Sequence, residues 1–161
     1  MLIRNTVNLP SSSRIWIYQS KTEIPATQVR DIQARLEDFA RRWVSHSRAL
    51  RAAAEVLHNR FIILTADESA AGASGCSIDS SVRFLQQLEQ EFNLDLFDRM
   101  TFTFEKDGKI QAAGRDEFAA MYARGEIDDD TVVFDNLVKT IGDLQVNWRK
   151  RLGDSWHRRM V

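Results

Sequence analysis

AAAEVLHNRFIILTA (residues 52–66) is the stretch that decides the fold class. Two runs suited to strands, 52–57 and 60–66, flank the pair His58-Asn59, and asparagine tolerates the left-handed backbone of a tight turn. We therefore predict a β-hairpin. The run 61–64 (FIIL) is apolar without alternation, which is typical of a central strand covered on both faces. Because tight hairpins impose antiparallel pairing, a purely parallel, doubly wound sheet is excluded.

Further elements follow on both sides of this hairpin. Upstream, alternation predicts a strand over Arg14–Gln19, with Ile15 and Ile17 on one side. Apolar residues three and four apart then predict a helix over 27–45, with Thr27 as its N-cap. Downstream we predict a helix over Asp79–Phe92, a second hairpin turning at Asp107-Gly108, a short helix over Arg115–Arg124 closed by Gly125, and a last strand over Thr131–Phe134, with 137–152 unassigned.

The predicted fold is a single α+β domain over 1–161. It has a mixed, mostly antiparallel sheet with two hairpins, packed by about three helices. We expect residues 1–13 to form a loosely attached N-terminal segment. A chain of 161 residues is long enough for one core and too short for a second domain.

Composition excludes several classes of protein. The chain has 22 basic and 23 acidic side chains, a net charge of −1 and 43% hydrophobic residues. This balance disfavours disorder and general nucleic-acid binding. A single cysteine cannot form an internal disulfide, and no apolar run resembles a secretion signal or a membrane span. We therefore expect a soluble cytoplasmic protein that does not bind membranes.

The most unusual segment is DESAAGASGCSIDSS (residues 67–81), which lies between the most apolar strand and a predicted helix. Glycines allow close backbone approach, and free amides at a helix start attract anions. We predict an anion-accepting loop for a small molecule or an acidic group of a partner, formed by Gly72, Ser74, Gly75, Cys76, Ser77 and Asp79. The alternative is structural: Ser77 or Asp79 caps the helix, and the small residues only allow a tight connection.

Two catalytic or metal-binding interpretations involve the same segment. Cys76 lies before the predicted helix start, where the helix field favours a thiolate nucleophile, and His157 is the histidine that could serve as its base. Asp67, Glu68 and Asp79 could together hold Mg²⁺, although capping explains Asp79 without a metal. We predict no cofactor, and we regard catalysis as the weaker hypothesis.

The third interpretation is a non-enzymatic interaction module at the C-terminus. Trp148 and Trp156 lie among basic residues there, namely Arg149, Lys150, Arg151, Arg158 and Arg159. Arginine suits phosphates and carboxylates, and the tryptophans could stack on bases. The alternative is that the tryptophans anchor the core while the arginines pair with local acids.

The segments RIWIYQS, NRFIIL, GASGCSIDSSVRF, FDNLV and DSWHRR resemble a family of small bacterial proteins often labelled ABC transporter ATPase. The resemblance extends from about Arg14 to the C-terminus. It implies no particular activity, and the residues contradict the label. ATP hydrolysis of that kind requires a GxxxxGK[ST] loop, and its lysine is missing: counted from Gly72, the second glycine and the lysine of the motif would fall at Ser77 and Ile78.

Overall fold

The computed structural model describes residues 9–69 and 72–161. Its helices and strands occur in the following order: β1 (Arg14–Gln19), α1 (Ala26–Arg42), β2 (Val44–Ser45), β3 (Arg48–Ala49), β4 (Arg51–Leu57), β5 (Phe61–Asp67), α2 (Gly75–Phe92), β6 (Thr101–Lys106), β7 (Lys109–Gly114), α3 (Arg115–Ala123), β8 (Val132–Phe134), α4 (Ile141–Asn147) and β9 (Arg149–Arg151). Two short 3₁₀ turns, Leu152–Asp154 and Trp156–Met160, end the chain.

The first sheet has the order β1-β5-β4, and all its pairs are antiparallel. All seven residues of β5 are buried, which confirms the prediction of a central strand. His58 and Asn59 join β4 to β5 with φ values of 55° and 54°. The hairpin at 52–66 is therefore confirmed, and the left-handed turn that asparagine permits is present.

Helices α1 and α2 cover one face of the first sheet, the face that points away from β8. Ile62 and Leu64 of β5 pack there against Ile32 and Leu36 of α1 and Leu85 of α2. The helix predicted over 27–45 is present as α1, but it ends at Arg42, before β2. Thr27 is not its N-cap, because α1 begins at Ala26, directly after Pro25. Pro25 is itself the N-cap, with an extended backbone (ψ 133°), and its side chain has no oxygen that could cap the helix.

The second sheet has the order β7-β6-β8-β9. The predicted turn is confirmed, because Asp107 and Gly108 have φ values of 54° and 72° between β6 and β7. The short helix closed by Gly125 is also confirmed, as α3. The expectation that 131–134 is the last strand was wrong: β9 (sequence RKR) follows and pairs with β8. β9 has no apolar residue, so only its backbone pairing reveals it as a strand.

The α+β class is confirmed, with one refinement in how the strands are grouped. They form three antiparallel sheets instead of one, since β2 and β3 form a separate two-stranded ribbon. The two larger sheets meet through an apolar layer, here called the inter-sheet core. In it Phe61 and Ile63 of the first sheet contact Phe134 of β8 and Trp148 after α4. A further core lies between the second sheet and α3, around Phe104 and Phe118.

The prediction of a loose N-terminal segment falls largely on residues 1–8, which lie outside the described residues. Residues 9–13 are attached to the fold. Leu9 packs against the inter-sheet core, and the Ser13 carbonyl accepts a hydrogen bond of 3.0 Å from the Ile141 amide at the start of α4. The Ser11 carbonyl accepts a second one, of 2.8 Å, from Gly142.

Candidate functional site

The predicted anion-accepting loop is a capped helix start. Helix α2 begins at Gly75, four residues before the predicted Asp79, and Ser74 is its N-cap. The Ser74 hydroxyl accepts the Ser77 amide (3.1 Å), and the Ser77 hydroxyl accepts the Ser74 amide (2.7 Å). This reciprocal pair is a capping box. Neither Ser77 nor Asp79 is the N-cap, so that expectation was wrong.

The flanks of this loop are held by β2 and by Trp43, the residue that precedes β2. The Gly72 carbonyl accepts a hydrogen bond from the Ser45 hydroxyl (2.7 Å), and the Ser77 carbonyl accepts one from the Trp43 indole (2.8 Å). Gly75 and Cys76 are exposed, while Ser74 and Ser77 use their amides within the cap. The geometry thus favours the structural interpretation of the segment over anion binding.

Cys76 and His157, the predicted nucleophile and base, lie in different parts of the molecule. Cys76 is exposed in the first turn of α2. His157 is buried beside the second sheet, where its ring stacks on Trp156 at 3.8 Å and meets Phe102 edge-on at 5.4 Å. The packing therefore gives no support to a Cys76–His157 pair.

The three carboxylates proposed for Mg²⁺ are engaged separately. Asp67 is buried, accepts the Ser69 amide (2.9 Å) and pairs with Arg51 (3.1 Å), and the Ser69 hydrogen bonds hold the pKa of its carboxyl below the usual range. Glu68 lies 3.7 Å from Arg14, and Asp79 is exposed on α2. Within residues 9–69 and 72–161, no three histidine, cysteine, aspartate or glutamate side chains are placed to hold a metal ion.

The capping box leads to a stability prediction. Ser74→Ala removes the acceptor for the Ser77 amide and is expected to lower the free energy of unfolding by about 1 kcal/mol. Asp79→Ala, one turn into the exposed face of α2, is the matched control and is expected to change it by less than about 0.5 kcal/mol. Urea denaturation of both variants measures the difference. A larger loss for Asp79→Ala than for Ser74→Ala would contradict this assignment of the cap.

A better site lies where the two larger sheets meet. A pocket of about 210 Å³, here called the inter-sheet pocket, is lined by Ile17, Tyr18, Gln19, Leu96, Phe97, Asp98, Arg99, Thr101, Phe102, Thr103, Phe134, Asn136, Leu137, Trp156 and His157. Three segments quoted for the family resemblance, RIWIYQS, FDNLV and DSWHRR, contribute to it. Of the residues predicted for the loop, catalytic and metal sites, it contains His157 alone, and Trp156 of the C-terminal interpretation lines it as well.

The floor of the pocket is a hydrogen-bonded network around Gln19. Strands β6 and β8 share a single residue pair, Phe104 with Val133, and diverge beyond it. The Gln19 side chain lies at this divergence: its amide donates to the Thr101 carbonyl (2.8 Å), and its oxygen accepts from Thr103 (2.5 Å) and Asn136 (3.1 Å). The Gln19 side chain therefore takes the place of backbone hydrogen bonds that the diverging strands β6 and β8 cannot form with each other. It also links the first sheet to the second.

His157 forms part of the pocket wall with one ring nitrogen engaged. The residue is 1% exposed, and its Nδ1 lies 2.7 Å from the Ser155 hydroxyl. Burial lowers the pKa of the imidazole to about 4, so the ring is neutral at pH 7. In the described part of the chain no group hydrogen-bonds to Nε2. Nε2 is thus the ring atom left for a ligand.

Aromatic and apolar side chains surround the mouth of the pocket. Tyr18 and Phe97 meet edge-on at 5.5 Å, and burial raises the pKa of the Tyr18 hydroxyl. Leu137 is 65% exposed at the rim, and Phe97 is exposed as well. Trp156 is held in place by its indole, which donates to Asp135 (2.9 Å). The mouth is therefore a ring-lined slot with partly exposed apolar edges.

The two charged side chains at the mouth, Asp98 and Arg99, differ in whether they are available to a ligand. Asp98 is engaged internally, because it accepts the Met100 amide (2.8 Å) and the Thr101 hydroxyl (2.7 Å). Arg99 is exposed, and none of the described carboxylates lies within ion-pair distance of it. The pocket thus offers one available cation at its mouth and one neutral imidazole inside.

The C-terminal surface has little of what the interaction-module hypothesis requires. Trp148 is buried in the inter-sheet core, and Trp156 is half-buried in the pocket wall. Arg151 pairs with Asp130 (2.5 Å), and Arg158 pairs with Asp129 (3.1 Å). This region agrees better with the alternative interpretation, in which the tryptophans belong to the core and the arginines pair with local acidic residues.

Sequence reasoning missed Gln19, Asn136 and Arg99. For Gln19 a signal was present: alternation places it on the same strand face as Ile15 and Ile17, where a polar side chain is unusual. Arg99 and Asn136 lie in connections, and nothing local indicates that they meet β1.

In comparisons with known proteins, no family model, curated protein or solved structure matches this chain. The family resemblance therefore stays a prediction. Among the helices of the described residues, none combines the length and the apolar character that crossing a membrane requires.

Proposed function

We propose that this protein is a non-enzymatic binding protein whose ligand site is the inter-sheet pocket. The observation that carries the proposal is the buried, neutral His157 ring in the pocket wall, whose Nε2 has no hydrogen-bond partner in the described chain. A ring nitrogen that makes no hydrogen bond to the protein, on a residue of a pocket wall, is a natural contact for a polar group of a ligand. This keeps the predicted class, a protein that binds an anionic molecule, and moves its site away from residues 72–81.

The size of the pocket supports a ligand with one ring. Its volume is about 210 Å³, whereas an apolar protein cavity of roughly 150 Å³ holds benzene. The difference leaves room for small substituents only. Phe102, Phe134 and Trp156 supply apolar surface for a flat ring.

The polar groups suggest which substituents the ring carries. A hydroxyl can hydrogen-bond to His157 Nε2 in the interior, and a carboxylate can pair with Arg99 at the mouth. Gln19 and Asn136 are already engaged with protein groups, so they shape the floor without offering further contacts. The ligand class is therefore a compact phenolic acid or a group of that kind.

The first test uses 4-hydroxybenzoate as the probe, with benzoate and 4-hydroxybenzamide as matched compounds. We expect 4-hydroxybenzoate to shift the amide resonances of lining residues such as Ile17, Thr101 and Asn136 in a heteronuclear NMR titration. Arg99→Gln is expected to weaken its binding about tenfold, which is roughly 1.4 kcal/mol. Arg83→Gln, on the exposed face of α2, is the matched control.

His157→Phe keeps a ring in the wall and removes the nitrogen. We expect this variant to lose the preference of the protein for 4-hydroxybenzoate over benzoate. Absence of shifts at the lining amides with all three compounds would overturn the proposal.

We also assign the protein to the cytoplasm as part of this proposal. A single, exposed cysteine without a disulfide partner is most stable as a free thiol in a reducing compartment.

A further inference from the structure

The outer edge of β1 is open beside the inter-sheet pocket. The backbone N–H and C=O groups of the even-numbered residues of β1 point toward β5, and those of the odd-numbered residues point away from it. The hydrogen bond from the Ser20 amide to the Arg60 carbonyl, just beyond the strand, follows the same alternation. The Ile15 amide donates to the Lys139 carbonyl (2.9 Å), and the Lys21 amide donates to the Asp95 carbonyl (2.9 Å). Between these two contacts the outward backbone groups of Ile17 have no partner among residues 9–69 and 72–161.

This opening has the dimensions of a short strand. The chain reaches β1 only at Lys139, because the preceding residues, Leu137 and Val138, turn back onto Asp135, with the Val138 amide 3.4 Å from the Asp135 carbonyl. From Ile15 to Lys21, β1 and its continuation extend about 20 Å at the usual strand rise. The gap between the two flanking contacts therefore accommodates about three residues of an added strand.

A groove runs along the open edge and leads into the pocket. It is lined by Trp16, Val138 and Thr140, among others, and it shares Ile17, Arg99 and Leu137 with the inter-sheet pocket. In an antiparallel pair, residues directly opposite each other point to the same face of the sheet. The side chain of a residue opposite Ile17 would therefore lie on the Ile17 face, where the pocket opens.

The charge along the groove favours an acidic occupant. Arg14, Arg99 and Lys139 line it together with one carboxylate, Glu68, which lies beside Arg14. Arg99 and Lys139 have no ion-pair partner in the described part of the chain. They are thus available for acidic side chains on both sides of the central residue.

We propose that the β1 edge and the inter-sheet pocket together bind an extended acidic peptide segment, which pairs antiparallel with Ile17 and places one tyrosine ring in the pocket. This inference rests on the proposed function, because the tyrosine side chain is the phenolic ring group inferred for the pocket. Backbone hydrogen bonds supply affinity in strand addition, and the side-chain pocket supplies specificity.

The experiment uses the wild-type protein and the synthetic peptide acetyl-Glu-Val-Tyr-Val-Glu-amide, with binding measured by calorimetry and NMR. A residue opposite Ile17 would exchange two hydrogen bonds with it, so N-methylation of the tyrosine amide is expected to weaken binding at least tenfold. N-methylation of the following valine, whose amide points away from β1, is the matched control and is expected to change binding less than threefold. Replacing tyrosine by alanine, or both glutamates by lysine, is expected to weaken binding at least tenfold.

Several results would overturn the inference. If 4-hydroxybenzoate binds in the pocket and the peptide does not, the strand-pairing inference fails and the proposed function stands. If N-methylation of tyrosine and of valine has the same effect, the peptide does not pair with Ile17. If neither probe binds, both proposals fail.

Discussion

Gln19→Leu is expected to lower the free energy of unfolding by about 3 kcal/mol. Leucine has a similar volume but leaves the Thr101 carbonyl, the Thr103 hydroxyl and the Asn136 amide without their partner. A buried polar group that loses its hydrogen bond destabilises a protein by about 1–3 kcal/mol, and the open pocket lets water compensate part of this loss. Urea denaturation at pH 7 measures the change.

Two further variants show whether the hydrogen bonds are responsible. Thr103→Val keeps the side-chain volume and removes one of the three hydrogen bonds of Gln19, so its loss is expected to be smaller than that of Gln19→Leu. Gln86→Leu, on the exposed face of α2, is the matched control and is expected to change stability by less than about 0.5 kcal/mol. A loss below about 1 kcal/mol for Gln19→Leu would show that the network does not hold the two sheets together.

The second large effect concerns pH and His157. Because burial lowers the pKa of the folded imidazole from 6.5 to about 4, the unfolded chain binds a proton between these values and the folded chain does not. Stability from this group is therefore complete above about pH 6.5 and is lost as the pH falls toward 4. A difference of this size corresponds to about 3 kcal/mol over the window.

Comparison of wild-type and variant stability between pH 7 and pH 4 isolates this contribution. His157→Gln is expected to flatten the decline by about 1 kcal/mol per pH unit, whatever its stability at pH 7. The wild-type curve must be compared with that of the variant because burial also lowers the pKa of His58, which likewise lowers the stability as the pH falls. His46→Gln, with its ring exposed beside β2, is the matched control. Equal slopes for wild type and His157→Gln would contradict the assignment of a neutral, buried ring.

Much of the secondary structure could be derived from local chemistry. The turns at His58-Asn59 and Asp107-Gly108 were predictable because few residues adopt positive φ, and their positions between apolar runs set the hairpins. Helix starts were less predictable. Serine and aspartate are both good caps, and the choice of Ser74 over Asp79 depends on the reciprocal bond to Ser77 and on the anchoring of Ser77 by Trp43.

Much less of the candidate site could be predicted from the sequence. The segment 67–81 was predicted to be a binding loop because so many small residues in one stretch are unusual. In the structure these residues cap helix α2 and hold its start against β2. The inter-sheet pocket has no such local signature. Its floor joins Gln19 to Asn136, which are 117 positions apart.

The amino-acid order alone was sufficient for the α+β class, the two hairpins and the central position of β5, because turn conformations and apolar patterns act between near neighbours. The division into separate sheets, the capture of β9 and the pocket around Gln19 and His157 arise only when the two sheets pack together. Those features depend on burial and on hydrogen bonds between groups that no local pattern relates, so they exist only in the assembled fold.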